Sequence, residues 1–104
     1  MEVFSIDTHA HLDMSIFDED RAETITRALD AGVGIIITVG IDLESSEKAT
    51  ELSEHYTRVF AAVGIHPHDA ATISKDAITR LGEIAKHPGV IAIGETGLDF
   101  YRDY

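Results

Sequence analysis

Residues 3–13 read V-F-S-I-D-T-H-A-H-L-D, a short apolar run (Val3, Phe4, Ile6) that passes into two histidines one residue apart. If the run is a β-strand, alternation sends His9 and His11 to the same side. They are then about 6.6 Å apart along the chain, close enough for both imidazoles to reach one metal ion. Asp7 and Asp13 share that parity. Leaving such polar groups unpaired on a buried face would cost roughly 1–3 kcal/mol each, so this face is expected to meet water, a metal or a substrate. The alternative is a pair of exposed histidines at a strand end, and H-x-H alone does not separate the two.

Outward from this stretch, strand-like segments rich in β-branched residues alternate with amphipathic helices. The expected strands are Val3–Asp7, Gly34–Val39, Val59–Ile65 and Val90–Gly94. The last three are nearly continuous apolar runs, as in parallel strands buried on both faces. The first helix is expected over Glu19–Ala31, with Asp18 as N-cap, Ala22, Ile25, Ala28 and Leu29 inward, and Gly32 as the stop. A second spans Leu43–Tyr56 behind Asp42, with Ala49, Leu52 and Tyr56 inward. The third spans Lys75–Lys86 behind Ser74, with Ile78, Leu81, Ile84 and Ala85 inward and His87-Pro88-Gly89 as the break. The fold class that follows is α/β, made of parallel β/α units joined by right-handed crossovers. Polar motifs fall at the carboxyl ends of the strands, where such folds gather their functional groups.

Composition narrows the chemistry. With 104 residues, 44% hydrophobic, 26% charged and two prolines, the chain has the make-up of one globular domain. No stretch approaches the ~20 apolar residues of a membrane span, and the N-terminus lacks the pattern of a signal peptide, so a soluble, cytoplasmic protein is expected. There is no cysteine, so a metal would be held by His, Asp or Glu, which suits Mg, Mn or Zn. The formal charge of −11 argues against a nonspecific nucleic-acid coat but leaves open a phosphodiester at a metal centre, where the ions themselves supply positive charge.

Three motifs stand in order on the expected strand ends: D-T-H-A-H-L-D (7–13), G-I-H-P-H (64–68) and I-G-E-T-G-L-D-F-Y (93–101). Together they resemble the N-terminal part of the TatD family of metal-dependent deoxyribonucleases, metallo-hydrolases built on a (β/α)₈ TIM barrel. The resemblance runs over essentially all of residues 1–104 and implies that they form the first four strands of such a barrel. It makes His9, His11 and Glu95 ligands of two divalent ions (Mg, Mn or Zn), Glu95 bridging them, and puts His66 at the active-site mouth as a donor to a substrate phosphate. The reaction implied is hydrolysis of DNA phosphodiester bonds by water activated between the ions.

Other polar residues have weaker roles on this reading. Asp7 and Asp13 could orient the imidazoles or simply meet solvent, and Asp99 could brace the Glu95 loop or be an ordinary loop residue. Gly94 and Gly97 would let the backbone turn beside the metals. His68 is read as a loop residue, His55 and His87 as charges at helix C-termini, and Phe100, Tyr101 and Tyr104 as packing residues. A (β/α)₈ barrel takes about 250 residues, so the family's further ligands, two histidines and an aspartate that activates water, have no counterpart here. The chain alone is therefore expected to be inactive, with a C-terminal half or an oligomer completing the barrel. Two rival readings are a related metallo-hydrolase of amide or ester bonds and a catalytically inactive half-barrel.

Overall fold

The β-branched runs pair as parallel strands. In the computed structural model, which describes residues 4–98, β1 (Ser5–Ala10), β2 (Val33–Val39), β3 (Val59–Val63) and β4 (Val90–Ile93) form one sheet in the order β1-β2-β3-β4. All three pairings are parallel. Helices α1 (Arg21–Asp30), α2 (Leu43–His55) and α3 (Lys75–Ile84) fill the crossovers, and short 3₁₀ turns occupy Ser15–Phe17 and Pro67–Thr72. Residues of all three helices pack on Ile36, Val59, Ala61 and Val63, which share one face, so every helix lies on the same side of the sheet, as right-handed crossovers require.

Local chemistry fixes the helix ends. Asp42 accepts from the Ser45 backbone N–H at 2.8 Å while the Ser45 hydroxyl oxygen accepts from the Asp42 N–H, a reciprocal capping box. Ser74 accepts from the Ala77 N–H and starts α3. Gly32 ends α1 at φ +106°, a conformation that excludes most side chains. The start of α1 departs from the sequence expectation. Asp18 does not cap it, because the chain first makes the 3₁₀ turn and the Asp18 carboxylate is taken by Arg21 at 2.8 Å.

Two apolar clusters hold the helices to the sheet. The first joins Leu12, Ile25, Ile36 and Val59, with Leu52 and Tyr56 of the α2 end packed against it. The second joins Ala49, Ala61 and Val63, with Leu81, Ile84, Ala85 and Val90 around it. Each fully buried Val, Leu or Ile is worth about 1.5–3 kcal/mol. Ala22 and Ile78, expected inward, are exposed; the inward set starts one turn later in each helix, at Ile25 and Leu81.

β4 corrects another expectation. Val90 packs in the second cluster, but Ile91 and Ile93 are 52% and 59% exposed, and β4 advances two residues, Val90 to Ala92, while β3 advances one, Ala61 to Ala62, so simple alternation does not hold along it. The apolar run of β4 is therefore not buried on both faces among the described residues.

Candidate metal centre

β1 runs further than the sequence suggests and is irregular where it matters. Between Asp7 and Ala10 it advances three residues while β2 advances two, from Ile36 to Thr38, so one extra residue bulges beside His9. Strict alternation thus breaks between Asp7 and His9. Instead of sharing a ligand face, the Asp7 carboxylate accepts from the His9 backbone N–H at 3.1 Å. His11 lies one residue past the strand, and the two imidazole rings meet edge to face with centroids 5.0 Å apart.

Glu95 reaches them through a backbone lattice at the carboxyl edge. The Gly94 N–H donates to Val63 O at 2.9 Å, and the Glu95 N–H donates to Gly40 O at 3.1 Å; the peptide between these two residues is cis. The Gly40 N–H in turn donates to Ala62 O, and the His66 N–H to Ile41 O at 2.7 Å. Close approach demands glycine at 64, where a Cβ would lie 2.5 Å from the Gly94 carbonyl carbon. The buried Ser46 hydroxyl bridges both the N–H and the carbonyl of Gly64 at 3.2 Å, tying α2 to the same edge. The loops after β2, β3 and β4 are thus interlocked around Glu95 and His66.

The donor geometry suits a divalent cation. One ligand atom each from His9, His11 and Glu95 falls within 4.8 Å of the others. His11 Nδ1 lies 3.0 Å from Val39 O; a carbonyl only accepts, so Nδ1 carries the proton and Nε2 keeps its lone pair for a metal. His9 Nε2 stands 3.3 Å from Glu95 Oε2, about the separation of two ligands each about 2.0–2.1 Å from a tetrahedral ion. His66 is different. Its Nδ1 accepts from the His68 N–H at 3.0 Å, so the neutral ring carries its proton on Nε2, 3.1 Å from Glu95 Oε1. His66 thus turns a hydrogen-bond donor to Glu95, and it stands outside the group of ligand atoms that His9, His11 and Glu95 bring together.

The remaining expectations resolve unevenly. His68 lies in the 3₁₀ turn Pro67–Thr72, as a loop residue. Neither Asp7 nor Asp13 orients an imidazole; for His11 the Val39 carbonyl does. The Asp13 carboxyl has one buried oxygen without a hydrogen-bond partner among the described residues, and loss of solvation pushes its pKa above the ordinary 3.8, against a lowering pull from its own backbone N–H and from His11. His55 ends α2 as expected, but His87 does more than sit near a helix end. Its Nδ1 accepts from the Gly89 N–H and its Nε2 stands 2.7 Å from Glu54 Oε1, clipping the α3–β4 turn to α2. Gly97 has φ +129°, whereas Gly94 needs no positive φ. Asp99, Phe100, Tyr101 and Tyr104 lie outside the described residues.

Two histidines and a carboxylate thus converge at the carboxyl edge of a parallel β/α sheet, where such folds gather their functional groups. The profile of the TatD related DNase family matches residues 6–104, and the chain belongs to that family. It is 41% identical over 98 residues to the 3'-5' ssDNA/RNA exonuclease TatD of Cronobacter turicensis, covering 94% of this chain and 37% of that protein. It is 40% identical to the metal-dependent hydrolase YabD of Bacillus subtilis, over 93% of this chain and 38% of YabD. The crystal structure of YjjV, a TatD homolog from Escherichia coli K12, superposes with a TM-score of 0.87 at 34% identity, covering 99% of this chain and 40% of that one. The chain thus spans well under half the length of these relatives. Among the described residues no helix is long and apolar enough to cross a membrane.

Proposed function

We propose that this chain supplies the N-terminal, metal-holding half of a TatD-type (β/α)₈ barrel, a cytoplasmic nuclease that hydrolyses DNA phosphodiester bonds. The single observation that carries the reading is the convergence of His9, His11 and Glu95 ligand atoms within 4.8 Å, with His66 on the far oxygen of the same carboxylate. His9, His11 and Glu95 would hold divalent ions, two of them when a complementary half adds its ligands. Bound there, the ions would act as Lewis acids on the phosphodiester and lower the pKa of a water.

The protein's own groups divide the remaining work. Glu95 turns one oxygen to His9 and the other to His66, and would hold metal together with His9 and His11. His66 presents Nε2–H; once Glu95 is engaged by metal, that donor is free to bond a phosphate oxygen and hold the scissile group against the site. The interlocked loops keep this donor at a fixed distance from the ligands, so little reorganisation accompanies binding. The activity named for the Cronobacter relative, on single-stranded DNA and RNA, supports a flexible strand as substrate.

The test is complementation. The 104-residue chain alone should show no DNase activity at any metal concentration, and adding a TatD-type C-terminal half, fused or in trans, should restore it. Metal-dependent cleavage by the purified chain alone, with longer contaminants excluded by mass spectrometry, would contradict the half-barrel reading.

A further inference from the structure

We propose that Arg21 is a positioning residue for the metal centre: its guanidinium fixes the turn after His11 and so sets the place from which His11 offers Nε2. The inference rests on the metal-holding role proposed above. Arg21 is the first residue of α1, and its side chain is only 18% exposed. Nε donates to Leu12 O at 2.6 Å, and Nη2 donates to Met14 O at 3.0 Å, with Asp13 O at 3.4 Å. Nη2 also reaches Asp18 Oδ1 at 2.8 Å. Three consecutive carbonyls therefore converge on one planar fork.

These carbonyls belong to the residues that immediately follow His11. β1 ends at Ala10, so His11 stands at the entrance of the turn rather than within the strand. That turn is held from two directions. The Leu12 N–H donates to Thr38 Oγ1 at 3.1 Å, and the Leu12 carbonyl accepts from Arg21. The Met14 N–H closes the turn on His11 O at 3.2 Å. With the backbone pinned on both sides, the ring needs only the Val39 carbonyl to fix its plane and tautomer. An exposed pair with Asp18 alone would contribute little and would leave the side-chain entropy of arginine largely uncompensated. What sets this side chain apart is that every one of these partners lies between residues 12 and 18. Lysine, a point charge without the fork, cannot bond the three carbonyls in this geometry.

Titration of Co(II) into the chain, followed by the visible absorption of the bound ion, tests the proposal. Wild type is compared with Arg21→Lys, Arg21→Gln and His9→Ala, and with Ile84→Val as a control that loosens packing in the second cluster. Both Arg21 variants should bind Co(II) about 10-fold or more weakly, with a changed band shape, the scale seen when groups that orient ligands are lost. Ile84→Val should melt lower yet bind as wild type. Folded Arg21 variants with wild-type affinity and spectrum would overturn the proposal. So would an affinity loss in Ile84→Val that follows its lowered melting temperature in the same proportion, since Arg21 would then be only structural. If Arg21→Gln fails to fold, Arg21→Lys decides on the same criteria. A wild-type chain that does not bind, or His9→Ala that binds unchanged, would instead remove the metal reading and this proposal with it.

Discussion

His66 Nε2 and Glu95 Oε1 lie 3.1 Å apart, joining the loop after β3 to the loop after β4. The His68 N–H occupies His66 Nδ1, so the contact is a donated hydrogen bond from a neutral ring. His66 is thereby held beside Glu95 with its Nε2–H turned to the carboxylate. In a completed barrel, His66→Asn should lower the rate of phosphodiester cleavage by about 10²-fold, as expected for one lost donor to a developing charge. Metal affinity, measured by calorimetry, should stay close to wild type. A matching loss of metal binding would make His66 a ligand instead.

Gly64 is where the Glu95 loop touches β3. Adding a single methyl, Gly64→Ala, places a carbon 2.5 Å from the Gly94 carbonyl carbon, with backbone atoms of 94 and 95 all around it. The variant should be about 1–3 kcal/mol less stable in urea denaturation, the usual range for overpacking, and should bind divalent metal more weakly because Glu95 is displaced. Unchanged stability and affinity together would contradict the tight apposition.

The α2 cap is expected to behave independently of the site. Asp42→Ala removes the acceptor for the Ser45 N–H and half of the capping box, and should lower stability by about 1 kcal/mol. Thermal melting checks this, and a neutral outcome would mean the cap adds nothing beyond the packing of Ala49.

Asp13 gives a pH signature. Burial holds its folded pKa above 3.8, so over that window the folded chain binds the proton more tightly than the unfolded chain does. Stability from this group is therefore lost as pH rises through the window, and at neutral pH the ionised carboxylate is a net burden. Asp13→Asn should melt above wild type at neutral pH, with the gain shrinking as the pH is lowered toward 3.8. A gain that grows on acidification would refute the desolvation account.

Much of the architecture was legible because local signals agreed. Asp42, Ser74 and Gly32 mark helix limits through groups within three residues of themselves. The β-branched runs mark strands by composition alone. The relation of His9, His11, Glu95 and His66 could be anticipated only from the three motifs taken together, since spacing says nothing about how β1 and β4 approach across the sheet. Contacts made by main-chain groups stayed hidden. The Val39 carbonyl that fixes His11 lies 28 residues away and has no side-chain signature. The bulge beside His9 depends on register with β2, which no stretch of β1 encodes by itself. Arg21 was invisible for the same reason, its partners being mostly carbonyl oxygens. The continuous apolar run of β4 suggests burial on both faces, yet Ile91 and Ile93 are more than half exposed.

The central claim, that His9, His11 and Glu95 together hold a divalent cation, is tested most directly by calorimetric titration of Zn or Mn into wild type and the His9→Ala/His11→Ala double variant. The account predicts saturable, weak binding to the wild-type chain, because these three residues supply only part of a two-metal shell, and no measurable binding to the double variant. Equal binding to both chains, with circular dichroism showing both folded, would contradict it.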